Sequence, residues 1–186
     1  MFSSERTAIW IGLVVALAAC ATQREQSPAV GFEPPHLGVP ASPEQVAAWD
    51  ISIPPSGEGL PPGSGTAKQG AAVYAAKCQA CHGAKGQGKP ADPLAGGVGT
   101  LGTAKMQRTV GSYWPYATTL FDYVRRAMPS NAPMSLSNEE VYAVSAYVLH
   151  INGIIGEDAV MNAQTLPAVK MPNRDGFISD WPPQKR

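Results

Sequence analysis

The stretch Cys78-Gln79-Ala80-Cys81-His82 has the pattern C-x-x-C-H. Two thiols at this spacing can each form a thioether with a vinyl group of haem, and the adjacent histidine can supply an imidazole ligand to the iron. The pattern therefore predicts that Cys78 and Cys81 hold one haem c covalently and that His82 is the proximal iron ligand.

Two other uses of a C-x-x-C pattern are weaker here. A thioredoxin-like redox pair needs a preceding strand within a βαβ unit, and neither is visible in the sequence before Cys78. A zinc site needs two more ligands, and few candidates are available. The remaining cysteine and histidines are Cys20, His36 and His150. We therefore favour haem.

The composition limits the function classes. The chain has 186 residues, a formal charge of zero and no cluster of lysine and arginine, so nothing indicates nucleic-acid binding. Its 19 glycines and 18 prolines predict long irregular segments between the helices.

The first 19 residues have the features of a lipoprotein-type signal peptide. An apolar run from Ala8 to Ala19 is too short to span a bilayer and ends in small residues before Cys20. We expect cleavage before Cys20 and lipid on its sulfur, which would anchor the protein to a bacterial membrane in the periplasm. The alternative is an ordinary cleaved signal with an incidental cysteine.

Residues 20–63 are rich in proline, and we interpret them as a semi-extended tether. A short helix within this tether is predicted to end at Trp49, which either folds back onto the domain or stays exposed. The predicted haem domain spans residues 64–156, and a C-terminal extension spans residues 157–186.

The first helix of the haem domain is predicted over residues 66–81. Gly70, Tyr74 and Cys78 recur every four residues and therefore share one face. Because glycine within a helix costs about 1 kcal/mol relative to alanine, we expect another helix to approach closely at Gly70. The alternative is a helix that merely begins near Gly70.

A glycine-rich stretch follows the haem motif from Gly83 to Gly111. An irregular segment of this length counts against a compact domain unless it packs on something, and a bound haem provides such a surface. The cations of this stretch are Lys85, Lys89, Lys105 and Arg108. We interpret these cations as solvated; the alternative is a docking surface at the haem edge.

Residues 112–127 are predicted to hold a second helix, with Pro115 at its first position. Its apolar stripe consists of Tyr116, Leu120, Tyr123 and Val124. Arg125 and Arg126 lie in the last turn, where cations suit the helix dipole. Either arginine could instead bind a haem propionate.

A third helix is predicted to begin at Ser137, because Ser137 and Glu140 have the spacing of a capping box. Gly153 is expected to mark its end. His150 lies in the last turn, where a surface or dipole role is favoured over iron ligation.

The second axial ligand decides how the iron can be used. A methionine thioether raises the reduction potential relative to a second histidine and suits an electron carrier. The candidates are Met106, Met128, Met134, Met161 and Met171. We favour Met128, because Pro129 follows it in an extended turn between two helices, and rank Met134 second. A ligand elsewhere, or an open sixth position, is the remaining alternative.

Several stretches resemble known families. The spacing Gly70-x-x-x-Tyr74-x-x-x-Cys78-x-x-Cys81-His82, the Met128-Pro129 turn and residues 136–148 resemble class I cytochromes c. A narrower resemblance is to the cytochrome subunit of Sox-type sulfite or sulfane dehydrogenases. It covers residues 49–51, 59–65, 109–123, 125–129, 149–153 and 171–177.

This resemblance implies an all-α, class I cytochrome c fold with an extended Pro-rich N-terminal tether and an irregular C-terminal tail. It also implies a molybdopterin partner subunit that performs the oxidation, while the haem of this chain passes electrons to a downstream cytochrome or oxidase. No catalytic residue is expected on this chain. The resemblance favours Met128 over Met134 and makes the residues after Glu157 part of the family structure, whereas the sequence alone predicts a Pro-ended coil there.

Three alternatives stay open at this point. The first is an electron carrier without a dedicated dehydrogenase partner. The second is a haem enzyme or sensor whose iron has an open sixth position. The third is a structural lipoprotein with no redox role.

Overall fold

The computed structural model of the protein describes residues 37–178. The predicted signal peptide over residues 1–19, the predicted lipid attachment at Cys20 and the end of the chain after residue 178 lie outside the described residues. Among the described residues, no helix is both long and apolar enough to cross a membrane.

The secondary structure between residues 37 and 178 consists of five helices and two very short strands. The helices are α1 (Pro43–Trp49), α2 (Ala67–Lys77), α3 (Gln79–His82), α4 (Ala117–Ala127) and α5 (Asn138–Ile151). The strands are β1 (Ser64–Gly65) and β2 (Met161–Asn162), which pair antiparallel. The predicted all-α class is therefore confirmed.

Helices α2 and α5 cross in close contact at Gly70. A Cβ atom on Gly70 would overlap the backbone carbonyl of Ala143 and would lie 2.9 Å from Cβ of Tyr147. Next to the crossing, the rings of Tyr74 and Tyr147 pack with their centroids 4.8 Å apart. The predicted close approach at Gly70 is confirmed, and it explains why a glycine is present within this helix.

The predicted helix over residues 66–81 is in fact two helices. Helix α2 begins with a capping box in which the Gln69 amide donates to the Thr66 hydroxyl and the Gln69 side chain accepts from the Thr66 amide. The helix breaks at Cys78, whose φ of −123° and ψ of −38° depart from helical geometry. Helix α3 then carries the rest of the C-x-x-C-H motif.

Helix α4 begins later than predicted. Its N-cap is Tyr116, in an extended conformation, so Pro115 precedes the helix instead of occupying its first turn. The segment before it forms a hydrogen-bonded turn, in which the Tyr113 amide donates to the Thr109 carbonyl at 3.0 Å. Thr109 and Ser112 are both buried and bonded to each other, and the Thr109 hydroxyl donates to the Gly96 carbonyl at 2.6 Å. These contacts hold the turn and outweigh the preference of a proline for the first helical position.

The buried face of α4 also differs from the predicted stripe. Phe121 is fully buried and its ring centroid lies 4.5 Å from that of Tyr142 on α5. Tyr123, which the stripe included, is 50% exposed. Leu120 and Val124 are buried as predicted.

Helix α5 begins and ends as the sequence predicts. The Glu140 amide donates to the Ser137 hydroxyl, and the Ser137 amide donates to the Glu140 carboxylate, so the predicted capping box is confirmed. The helix ends at Ile151, and Gly153 shortly after it has a φ of +70°. That backbone conformation suits a glycine at a helix end.

Residues 51–63, which the sequence places in the tether, pack against α4 and α5. Ile53 is buried, and its amide donates to the Asp122 carboxylate at 3.0 Å. The hydroxyl of Tyr142 donates to the carbonyl of Pro61 at 2.9 Å. Trp49, by contrast, is 86% exposed at the end of α1, a helix without buried residues.

The tail after Glu157 contributes to the hydrophobic core. Its buried members are Met161, Leu166 and Met171. Gly65 of β1 pairs with Met161 of β2, so the tail is also fixed by backbone hydrogen bonds. The coil predicted from the sequence alone is therefore corrected to an irregular but packed segment.

Candidate haem site

The two cysteines of the motif are separated by one tight turn. The amides of Cys81 and His82 both donate to the carbonyl of Cys78, at 3.1 and 3.0 Å. Both thiols are free of disulfide bonds. Cys78 is partly buried against the core, whereas Cys81 is exposed. The turn thus presents two thiols and one imidazole from five consecutive residues.

The environment of Cys78 does not match a redox-active thiol pair. Burial raises the pKa of the Cys78 thiol to about 11; the nearby Cys81 adds to the shift, and Lys77 opposes it. Reactive cysteines in C-x-x-C redox motifs have lowered pKa values, because the thiolate is the nucleophile. Among the described residues, there is also no group of three or more cysteine, histidine or carboxylate side chains that could hold zinc.

The ring of His82 is oriented by a backbone carbonyl. Its Nδ1 atom lies 2.8 Å from the carbonyl oxygen of Asp92. Because a carbonyl oxygen can only accept, Nδ1 carries the proton and the lone pair of Nε2 is available to a metal. The carbonyl of His82 in turn accepts from the amide of Gly88 at 2.8 Å.

The glycine-rich loop that supplies this carbonyl is anchored by Asn152. The Asn152 side chain donates to the carbonyl of Leu94 at 3.0 Å and to that of Val148 at 2.8 Å. Its oxygen accepts from the amide of Gly96 at 3.2 Å. This role of Asn152 was not predicted, because its loop partners lie more than 50 positions away in the sequence.

Tyr74 links α2 to the residue that follows the proximal histidine. Its hydroxyl donates to the carbonyl of Gly83 at 2.8 Å, and its side chain is 1% exposed. Burial raises the pKa of Tyr74 to about 12. The same face of α2 therefore packs on α5 through Gly70 and supports the haem motif through Tyr74.

The five candidate methionines differ in their surroundings. Met161 and Met171 are buried in the core at 5% and 3% exposure, whereas Met106 and Met134 are 46% and 60% exposed. Met128 is partly buried against the core directly after α4, and its amide donates to the carbonyl of Val124 at 3.1 Å. Met128 therefore combines a fixed backbone with a side chain that is neither core filler nor fully solvated.

Among the charged residues, Arg126 is already engaged. Its guanidinium lies 2.7 Å from the Asp122 carboxylate and 3.4 Å from the Ser52 hydroxyl, which leaves it poorly suited to a propionate. The cations of the loop are all exposed, which fits both solvated side chains and a docking surface. They are Lys85, Lys89, Lys105 and Arg108.

These features fit a covalently held haem. Free thiols and an imidazole with an available Nε2 lie on one turn, and the partly buried thioether of Met128 follows α4. Trp114 is partly buried, and its ring packs edge-on against that of Tyr123 at 5.7 Å, which leaves half-exposed aromatic surface on α4. An extended apolar macrocycle would cover surface of this kind.

Comparison of the chain with known proteins identifies its family. The cytochrome c family matches residues 67–152. None of the curated proteins matches the chain. The crystal structure of the sulfane dehydrogenase SoxCD from Paracoccus pantotrophus contains a chain that is 40% identical, with a TM-score of 0.74; the match covers 79% of this chain and 73% of that chain. The protein therefore belongs to the cytochrome c family and is a Sox-type cytochrome.

Proposed function

We propose that this chain is the haem-bearing electron-transfer subunit of a sulfane-dehydrogenase-type complex. The observation that carries the proposal is the 40% identity to a chain of SoxCD over 79% of the present chain. Membership in the cytochrome c family implies a covalently bound haem c, which supplies a one-electron ferric–ferrous couple. We propose a single haem, because the chain has one C-x-x-C-H motif.

In this proposal, Cys78 and Cys81 hold the haem through thioethers, and His82 and Met128 are its axial ligands. The hydrogen bond from His82 Nδ1 to the Asp92 carbonyl supports the proximal assignment, because it directs Nε2 away from the loop. The partly buried position of Met128 after α4 supports the distal assignment. If His82 and Met128 both bound the iron, the chain would leave it no open position for a substrate, and the haem would supply only electron transfer.

The oxidation itself would take place on a molybdopterin partner subunit, and a downstream cytochrome or oxidase would accept the electrons. A lipid on Cys20 would hold the complex at the periplasmic face of a bacterial membrane after removal of residues 1–19. We also propose residues 20–63 as a Pro-rich tether and extension, of which residues 51–63 pack on the haem domain, residues 64–156 as that domain and residues 157–186 as its C-terminal extension.

The test is to purify the protein gently from its native membrane and to assay molybdenum in the preparation. The haem spectrum is then followed while sulfite, thiosulfate and a sulfane-sulfur compound are added in turn. Co-purifying molybdenum together with substrate-driven reduction of the haem is the expected result. A haem that dithionite reduces, in a preparation without molybdenum or substrate response, would instead identify a general electron carrier.

A further inference from the structure

A cluster of arginine and aromatic side chains lies where the tail crosses the segment before α4. The guanidinium of Arg108 lies 5.2 Å from the ring centroid of Tyr113, and the ring of Phe177 meets the same tyrosine edge-on at 5.1 Å. The guanidinium of Arg174 lies 4.3 Å from the ring centroid of Tyr116. We refer to these five residues as the Arg–Tyr surface.

The backbone around the Arg–Tyr surface is fixed. The side chain of Asn173 donates to the carbonyl of Tyr113 at 2.8 Å, which joins the tail to the segment that carries both tyrosines. Met171, two residues before Asn173, is buried in the core. The two arginines therefore extend from anchored backbone, and their stacking on tyrosine rings limits their rotamers further.

Both guanidiniums lack an acceptor within the part of the chain that the structure describes. Neither Arg108 nor Arg174 forms an ion pair or a hydrogen bond there, and the neighbouring Asp175 is not paired with either. An arginine has five N–H donors, and stacking on a ring leaves them free at the edge of the guanidinium plane. Arg126 differs, because Asp122 already binds it.

This combination fits a protein partner with carboxylates. Arginine and tyrosine are enriched in the energetically dominant parts of protein interfaces. Since these side chains are already ordered, binding would cost little additional side-chain entropy. Two positive charges with no acceptor among residues 37–178 favour negative charge on the partner, and Phe177, which is 51% exposed, adds apolar surface beside them.

We infer that the Arg–Tyr surface is the docking site for a carboxylate-bearing face of the dehydrogenase partner subunit, an inference that rests on the proposed function. Tyr116 is the N-cap of α4 and Met128 is the C-cap of the same helix, so the Arg–Tyr surface lies at the end of α4 opposite to the proposed distal ligand. Trp114, which lies between the two tyrosines in the sequence, packs on Tyr123 of α4. Helix α4 therefore connects the proposed docking site with the candidate haem site.

The experiment uses the haem-loaded full chain and the molybdenum subunit that co-purifies with it. The double variant Arg108→Gln/Arg174→Gln is compared with Lys68→Gln, which removes one exposed positive charge on α2. We expect the double variant to bind the partner about tenfold more weakly, with a smaller dependence on salt, and to be reduced more slowly by substrate. Lys68→Gln should stay within about twofold of the wild type.

A second measurement distinguishes partner docking by the two arginines from a role of these arginines in haem binding. The midpoint potential of the isolated double variant and the pH dependence of this potential should equal those of the wild type. If affinity and its salt dependence are unchanged in the double variant, the docking inference is wrong, although the proposed function stands. If only the potential shifts, the arginines serve the haem propionates and the inference fails. If the wild type binds no molybdenum subunit, the proposed function and the docking inference fail together.

Discussion

The two sides of the candidate haem site are held in different ways. On the proximal side, His82 lies in a turn with Cys78, and its ring is fixed by the Asp92 carbonyl only ten residues along the chain. On the distal side, the backbone of Met128 is held by one hydrogen bond, to the carbonyl of Val124. Its thioether packs against the core from the end of a helix.

A short motif can therefore specify the proximal side, whereas the distal side depends on tertiary structure. The proximal geometry is encoded within residues 78–92 and is reinforced where α2 crosses α5. The distal geometry depends on where α4 ends and on how α4 packs. We therefore expect damage to the proximal framework to affect the whole fold, and damage to the distal ligand to affect mainly the coordination of the metal.

The largest effect is expected for Gly70→Val, which breaks the framework behind the proximal side. Valine gains a few tenths of a kcal/mol in helix propensity over glycine, but its side chain would overlap the carbonyl of Ala143. Overpacking of this kind costs about 3 kcal/mol, so it outweighs the gain. The measurement is the free energy of unfolding of the haem-loaded protein in urea.

The matched control is Gly156→Val, because a Cβ atom at Gly156 would meet nothing within 4 Å. We expect this control to unfold close to the wild type. Equal stability of the Gly70 and Gly156 variants would show that the crossing does not need a glycine.

The next effect is expected on the distal side alone. Met128→Ala should abolish sulfur–iron coordination and let ferrous haem bind carbon monoxide promptly, while the protein remains folded, since the proximal framework is untouched. The readouts are the sulfur-to-iron absorption band, carbon monoxide binding and the reduction potential, which should fall. Met134→Ala, at an exposed methionine, is the control and should retain all three wild-type properties. Loss of coordination in the Met134 variant instead would reassign the ligand.

A smaller effect is expected for Asn152→Ala, which loosens the loop that orients His82. The substitution removes the side-chain bonds to the Leu94 carbonyl, which keeps its bond from the Val110 amide, and to the exposed Gly96 amide, and it should cost about 1 kcal/mol. Amide hydrogen exchange at Gly96 should accelerate more than exchange in α4. Asn162→Ala removes side-chain bonds confined to the tail and should leave Gly96 unchanged. Unaltered exchange at Gly96 in the Asn152 variant would contradict the anchoring role.

The smallest effect concerns Tyr74 and alkaline pH. Because the pKa of Tyr74 is raised from 10.0 to about 12 in the folded protein, folding favours its protonated form. The resulting stability is fully present below pH 10 and is lost as the pH rises towards 12. Tyr74→Phe should therefore lose less stability than the wild type over this interval, as measured by unfolding at a series of pH values. Parallel pH profiles for the two proteins would argue against a buried, titrating Tyr74.

The sequence predicted those features whose interacting residues are close in the chain, or whose residue type has a single steric explanation. The Ser137–Glu140 capping box needs only local contacts, and the haem motif specifies its own turn. The close approach at Gly70 could be predicted because glycine destabilises a helix relative to alanine, and such a glycine is usually present where another helix packs closely. These features were enough to predict the fold class, and they are the basis of the proposed proximal half of the site.

The remaining features depend on partners far apart in the chain. Asn152 binds Leu94 across 58 positions, and Asn173 binds Tyr113 across 60. No local pattern distinguishes such a side chain from an exposed one. The start of α4 was misplaced partly for the same reason, because the buried Thr109 donates to the Gly96 carbonyl 13 positions away and also bonds Ser112 within the turn that precedes the helix.

The pairing of β1 with β2 has a consequence for the smallest unit that can fold. The family match ends at residue 152, yet a chain cut there would lose the strand partner of Gly65 and three core side chains. Those side chains are Met161, Leu166 and Met171, and their removal would open cavities beside α5. A shortened form intended as a minimal electron carrier must therefore keep both the segment before α2 and the tail, because the folding unit is larger than the stretch that reveals the family.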